Sequence, residues 1–251
     1  ETIFNAQFKD NPGGFLEVAD LKQAKQEVWT PQFNRIQEKG IRKSPALPYG
    51  HDAIGYVQNG HFNMTMLVDM SLFGKKTNGV PFNVYTSLSY SDVEGRIESY
   101  RNWNFAVKAG DSLSYQWDLE KFEGQEYAFE LHGPNGFYRK FAGYKNAPAL
   151  SAAVSPQLKS LTKAPTGKLQ LTLKNRDVKA VQVEIKSLNY QHYTATKEIE
   201  AGKELMLILD VSAQGNWYDL AVTGLGSANF GLQLAGRLET GVETTTDPLL
   251  A

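Results

Sequence analysis

The chain repeats itself, and that repetition limits its architecture more than any other property. Gly215-Asn-Trp-Tyr-Asp-Leu-Ala-Val-Thr-Gly224, followed by Phe230-Gly-Leu-Gln-Leu-Ala-Gly-Arg-Leu-Glu-Thr-Gly241, has an earlier, weaker copy. That copy is Gly124-Gln-Glu-Tyr-Ala-Phe-Glu-Leu-His-Gly133 followed by Phe137-Tyr-Arg-Lys-Phe-Ala-Gly143. Ala109-Gly110 matches Ala201-Gly202, Tyr127 matches Tyr218, and Ala142-Gly143 matches Ala235-Gly236. Upstream, Ser87-Leu-Ser-Tyr90 matches Ser187-Leu-Asn-Tyr190 at a larger offset, so the first copy carries one longer loop between Tyr90 and Gly110. Internal self-similarity fixes the architecture before any single residue does. In 251 residues it predicts two domains of related fold, each of an ordinary size.

Within each copy the apolar residues recur with a period of two, which places them on one face of a strand. Leu169, Leu171 and Leu173 do so, then Val181, Val183 and Ile185, then Leu205, Leu207 and Leu209, then Tyr218, Leu220 and Val222. In the first copy strands are predicted at His61–Val68, Pro81–Tyr90, Glu98–Val107, Ser112–Trp117, Glu126–His132 and Phe137–Phe141. Asn135-Gly136 predicts a type I′ hairpin turn, because both central positions need positive φ. The fold class is therefore all-β: two tandem immunoglobulin-like antiparallel sandwiches. The predicted boundaries are an N-terminal extension over 1–45, a first sandwich over 46–150, a Pro-, Ser- and Thr-containing linker over 151–165 and a second sandwich over 166–251. The extension is expected to be mostly irregular, with one short helix from Val18 to Trp29, capped by Asp20 and stopped by Pro31.

Composition excludes several classes of function. A net charge of −1 provides no basic excess for a phosphate backbone, so no nucleic-acid partner is expected. With no cysteine there is neither a disulfide framework nor a thiolate metal site. His51, His61, His132 and His192 show no metal-ligand spacing, so neither metal nor cofactor is expected in this chain. The longest apolar run, Leu205–Leu209, is far shorter than the roughly 20 residues of a membrane-spanning helix. No nucleophile elbow or phosphate-binding loop occurs, and no catalytic residue is predicted. The start at Glu1, without Met or an apolar leader, predicts that the chain begins inside a longer protein.

Tyr127 and Tyr218 stand at matched positions at a strand entrance, and a tyrosine corner is predicted, with Gly143 and Gly236 as further repeated structural positions. Phe137, Tyr138, Arg139 and Lys140 follow the predicted turn and have two readings. Aromatics beside cations at a loop tip suit a lipid headgroup layer, whereas the match of Phe137 to Phe230 suits a core position. Trp103 and Trp217 are candidate platforms for stacking on sugars, which keeps an independent carbohydrate-binding or adhesion module as the alternative function.

Several motifs in order resemble a known family. Ala46-Leu-Pro-Tyr49, Gly79-Val-Pro-Phe-Asn-Val-Tyr85, Gly133-Pro-Asn-Gly-Phe137, Asn216-Trp-Tyr-Asp219 and Ala235-Gly-Arg-Leu-Glu-Thr-Gly241 with Asp247-Pro248 are similar to the C-terminal part of bacterial phosphocholine-preferring phospholipases C. Ala6-Gln-Phe-Lys9 looks like the end of that family's catalytic region. The resemblance implies a parent enzyme, exported by the twin-arginine route to the periplasm or beyond, that hydrolyses phosphatidylcholine or sphingomyelin. It also implies a metal-dependent catalytic domain as partner, contact with phosphatidylcholine-containing membranes, and a non-catalytic, bracing role for this region.

Overall fold

In the computed structural model, residues 40–226 and 230–250 are described. The predicted helix at Val18–Trp29, with its Asp20 cap, lies outside them. A short β1 (Lys43–Ser44) is followed by β2 (His51–Gln58), β3 (His61–Val68) and β4 (Val80–Thr86). Next come β5 (Tyr90–Ser91), β6 (Ile97–Glu98), β7 (Asn102–Val107), β8 (Ser112–Asp118), β9 (Glu126–His132) and β10 (Tyr138–Tyr144). The second half holds β11 (Leu150–Leu158), β12 (Pro165–Asn175), β13 (Val181–Ser187), β14 (Thr194–Ile199) and β15 (Glu204–Asp210). It closes with β16 (Trp217–Gly224), β17 (Gly231–Arg237) and β18 (Thr244–Thr245), which pairs with β1.

The two halves repeat one pairing scheme. In the first, β2-β3-β8 form a three-stranded sheet and β10-β9-β4-β7 run side by side; in the second, β11-β12-β15 and β17-β16-β13-β14 do the same. The all-β antiparallel expectation is met. The fourth long strand of each half, β7 or β14, pairs beside the third, whereas the constant-type immunoglobulin arrangement puts it in the other sheet.

Inner faces follow the period of two. Phe62, Met64 and Met66 of β3 are buried together with Phe129 and Leu131 of β9 in the first half, the Phe62 and Phe129 rings 4.9 Å apart; Leu169, Leu171 and Leu173 are buried together with Ile185, Leu220 and Val222 in the second. Each such side chain contributes about 1.5–3 kcal/mol of transfer free energy before ordering is counted. The halves then join. β10 pairs antiparallel with β17, with Tyr138 opposite Ala235 and Phe141 opposite Leu232, so the two four-stranded layers become one eight-stranded sheet.

One boundary differs from expectation. Ser151–Pro165 is not a linker: Leu150–Leu158 is a strand, with Leu150, Ser151 and Ala152 buried. Pro156 is tolerated because β11 is an edge strand, where a missing N–H breaks no ladder on the free side, and the register shifts there between Pro156 and Leu158. The connection between the halves is the short stretch 145–149. Two further strand expectations are refined: Pro81–Tyr90 ends at Thr86, with Tyr90 opening the separate β5, and Glu98–Val107 divides into β6 and β7. β2, which the alternation did not reveal, packs its Gly55 against Phe62 and Phe141.

The repeated tyrosines and glycines turn out to be partners. Tyr127 lies opposite Gly143 on β10, and Tyr218 opposite Gly236 on β17. A Cβ at position 143 would stand 2.5 Å from the Tyr127 hydroxyl, so the bare glycine lets the ring lie across the neighbouring strand. Substitution of Gly143 by Ala is expected to cost about 1–3 kcal/mol through overpacking, read as a lower urea midpoint at unchanged m-value.

Candidate functional site

Where the two halves meet, a cavity of about 340 Å³ opens between the start of β2, the β9–β10 turn, β11 and the end of β17. Its wall is mostly apolar, but it contains two buried ion pairs and a histidine.

Arg139 lies in the middle of this wall. Along β10 the inward residues are Phe137, Arg139, Phe141 and Gly143, so the strand period itself buries the guanidinium, which is 1% exposed. All its donors are used. Nε and Nη2 donate to Asp52 Oδ1 at 3.0 and 2.8 Å, Nη2 also to the Tyr218 hydroxyl at 3.1 Å, and Nη1 to the carbonyls of Tyr138 and Ala235 at 2.9 and 3.0 Å. Asp52 completes the arrangement by accepting from the backbone N–H groups of Ala53 and Val154. One carboxylate thus ties β2 to β10 and to β11 of the other half. Burial works against the Arg139 charge, but Tyr218 and Asp52 more than offset it, and its pKa is raised. Burial likewise raises that of the Tyr218 phenol.

A second buried pair closes the rim. Arg237 donates to Glu239, to the Ser44 hydroxyl and to the Pro45 carbonyl, while Asn135 donates to Glu239 at 2.7 Å. Asn135 and Gly136 have φ of 61° and 71°, as the I′ turn requires. Phe137 N–H donates to the Pro134 carbonyl across it. Gly136 is pressed against the Trp217 ring, which a Cβ would approach to 2.7 Å.

His51 sits beside these pairs, its ring 4.4 Å from that of Phe137 and 5.7 Å from that of Tyr49. Both ring nitrogens are buried without a hydrogen-bond partner among the described residues. Burial first, and the Arg139 charge second, lower its pKa to about 4; the nearby Pro134 carbonyl, outside hydrogen-bonding geometry, opposes this weakly. The imidazole is therefore neutral at pH 7 and offers one donor and one acceptor. Of the charged groups around it, Arg139 is paired with Asp52 and Arg237 with Glu239, while Asp69 accepts from Ser71.

The lipid-contact expectation for Phe137–Lys140 requires correction. Phe137 and Arg139 are buried and unavailable to a membrane, because alternation along the strand turns them inward. Tyr138 and Lys140 face the other side, where Lys140 pairs with Glu130 at 2.9 Å. Burial, with Glu130 adding to it, pushes the Tyr138 phenol up to about 12. Tyr127 and Tyr218 are both buried, and the Tyr218 hydroxyl accepts from Arg139, which is not the backbone bond of a tyrosine corner.

Neither candidate sugar platform is open. Trp103 packs edge-on against Tyr90, Trp117 and Phe129, while Trp217 covers Gly136 and donates to the Thr245 carbonyl. His61 bonds its own turn at the Asn59 carbonyl, and His132 lies edge-on to Tyr85 and tilted against Tyr138. Among the described residues no three His, Asp or Glu side chains converge in a way that could hold a metal ion. Nor is any described helix long and apolar enough to cross a membrane.

Comparison with known proteins gives this arrangement a family. The family model for the bacterial phospholipase C C-terminal domain matches residues 44–144 and again 149–237. The chain belongs to that family. The double match gives one copy to each half of the fold and meets at the connection between β10 and β11. Hemolytic phospholipase C of Pseudomonas aeruginosa is 32% identical over 232 residues, covering 85% of this chain and 30% of that protein. Non-hemolytic phospholipase C of Burkholderia pseudomallei is 28% identical over 217 residues, covering 86% of this chain and 29% of the relative. The chain therefore spans less than a third of the curated relatives it matches. Among solved structures, red sea bream transglutaminase aligns over 91% of this chain and 33% of its own at 10% identity with a TM-score of 0.23, too low to carry a fold argument. Family membership and the packed tryptophans together leave the carbohydrate-module alternative unfavoured.

Two stability measurements probe the site. Asp52→Ala leaves a buried guanidinium without its counter-ion and is expected to lose about 3–5 kcal/mol, of which the double variant D52A/R139M regains most; paired urea titrations form the cycle. For His51, the native pKa lies below the unfolded value of about 6.5, so the unfolded chain takes up the proton first. Its contribution is intact above that pH and is lost as pH falls toward 4, by at most about 3 kcal/mol. His51→Phe, which removes two unsatisfied nitrogens, is expected to change stability at pH 7 by less than about 1 kcal/mol and to flatten the decline between pH 6.5 and 4.

Proposed function

We propose that this region is the non-catalytic C-terminal part of an exported bacterial phospholipase C, formed of two duplicated modules that brace the catalytic domain and help it engage aggregated lipid. The parent enzyme, in this reading, hydrolyses phosphatidylcholine or sphingomyelin to phosphocholine and diacylglycerol or ceramide. Its metal-dependent chemistry lies in the part of the protein outside this chain.

The observation that carries the reading is the fusion of the halves. Pairing of β10 with β17 and the Asp52–Arg139–Tyr218 cluster make one stiff body from two copies, as a brace requires. The cations of the cavity wall support it, since Arg139 is engaged by Asp52 and Arg237 by Glu239, and His51 is held neutral. Most of the length of the phospholipase C relatives lies outside the matched region, which leaves room there for the catalytic machinery.

The test compares three proteins on phosphatidylcholine vesicles: the full-length protein, the full-length protein lacking this region, and this chain alone. The full-length protein is expected to release phosphocholine and the isolated chain to release none. Removal of the region is expected to lower both the melting temperature and the rate on vesicles. Turnover by the isolated chain overturns the non-catalytic assignment, and an undiminished truncated enzyme overturns the bracing role.

A further inference from the structure

The two copies differ most clearly between the third and fourth long strands. Asn102, which opens β7, follows Tyr90 by twelve positions, whereas Thr194, which opens β14, follows Tyr190 by only four. The eight additional residues of the first copy form the β5–β6 hairpin, with Tyr90 opposite Glu98 and Ser91 opposite Ile97.

Its base is anchored. The Tyr90 ring packs against Phe122 at 5.1 Å and Trp103 at 5.6 Å, and the Arg101 guanidinium covers both Tyr90 and Trp103. Its tip is preorganised. Asp92 Oδ1 accepts from the N–H groups of Glu94 and Arg96, Oδ2 accepts from Arg96 Nε at 2.8 Å, and Gly95, at φ 80°, closes the turn. Two large apolar side chains of the hairpin stand in solvent, Val93 at 88% and Ile97 at 70% exposure, and Tyr100, two residues beyond β6, joins them at 79%. Three such residues within eight positions, two on a hairpin the other copy lacks and one just after it, are not explained by the core.

The charges on the hairpin narrow what covers it. Asp92 and Glu94 both pair with Arg96, and Glu98 pairs with Arg101. Three acids against two arginines leave a net of −1, with each charge already engaged. Such a tip has no attraction for an anionic surface, and its field is small. A separate protein held by this tip alone is a poor fit as well, because a stable interface needs about 800 Å² from each side, far beyond three side chains. Shallow insertion into a lipid interface needs only a few apolar residues, with tyrosine at the headgroup level.

We propose that the β5–β6 hairpin, with the Tyr100 that follows it, is the lipid-contacting element of this region, inserting Val93, Ile97 and Tyr100 into the interface of zwitterionic membranes. The proposal rests on the phospholipase C reading for its choice of lipid. It assigns lipid contact to a different element from Phe137–Lys140.

The test is co-sedimentation of the chain with phosphatidylcholine vesicles, for the natural sequence and for V93N/I97N/Y100N. Asn is suited to the left-handed backbone at position 100, where φ is 58°, and a melting curve checks the fold. Expected are a partition coefficient about ten-fold lower for the triple variant and little change for the natural chain as salt rises several-fold. Since the chain has no cysteine, Val93→Cys carrying an environment-sensitive fluorophore provides an independent reading. It should shift to the blue on mixing with vesicles and respond to a quencher placed in the lipid. Equal binding by the triple variant, no binding by the natural chain, binding that requires anionic lipid, or an unshifted probe each overturns the proposal. In the full-length protein the triple variant should slow hydrolysis of vesicles but not of a soluble phosphodiester. A full-length protein inert on both substrates refutes the phospholipase reading instead, and the vesicle and fluorophore results still decide whether the hairpin touches lipid.

Discussion

The buried Arg139–Asp52 pair of the first half reaches the second half through Tyr218, the Ala235 carbonyl and the Val154 N–H, and so fixes how the two halves of this protein meet. A guanidinium placed inside by strand alternation must find partners for five N–H groups, or its burial is strongly unfavourable. It finds them on its own strand and three others: the Tyr138 carbonyl of β10, the Asp52 carboxylate on β2, the Tyr218 hydroxyl on β16 and the Ala235 carbonyl of β17. Asp52 in turn fixes β11 through the Val154 N–H. The hydrophobic layers supply most of the stabilisation, but apolar packing is not directional. The charged cluster is directional, and it specifies one relative placement of the two copies.

The cluster is present only once. By the repeat offset of β10 and β17, the counterpart of Arg139 is Leu232, and the second core is aliphatic at that point. The eight-residue hairpin also belongs to one copy only. The duplicated parts, such as the tyrosines lying over Gly143 and Gly236, hold each sandwich together. The unduplicated parts join the sandwiches or reach outward. The copies have therefore diverged at their contacts with other surfaces and have kept what each needs to fold.

What the sequence revealed follows from the same distinction. Alternating leucines in the second copy and the Asn135-Gly136 turn encode their structure locally, and both were legible. The Leu150–Leu158 strand was masked by Pro156 and its polar neighbours, because an edge strand needs its N–H groups on one side only. β2 was hidden since Gly55 interrupts its apolar pattern where Phe62 and Phe141 need room. Arg139 carried a usable signal: it alternates in phase with Phe137, Phe141 and Gly143, and a strand that buries those must bury it too. Its partner Asp52 lies 87 residues away, and nothing short of topology connects the two. The hairpin was visible as extra length between Tyr90 and Gly110, but length alone does not say which side chains face outward.

The pairing of β10 with β17 has a consequence for how such a protein can be inherited. Each of these strands would be a bare sheet margin in a single copy, and such margins attract other chains. Joined, each shields the other, and the connection 145–149 keeps the partner permanently at hand. Once that seam had formed, neither half could be lost or shuffled elsewhere without exposing a sticky border. A duplication that began as redundancy thus became a single indivisible part.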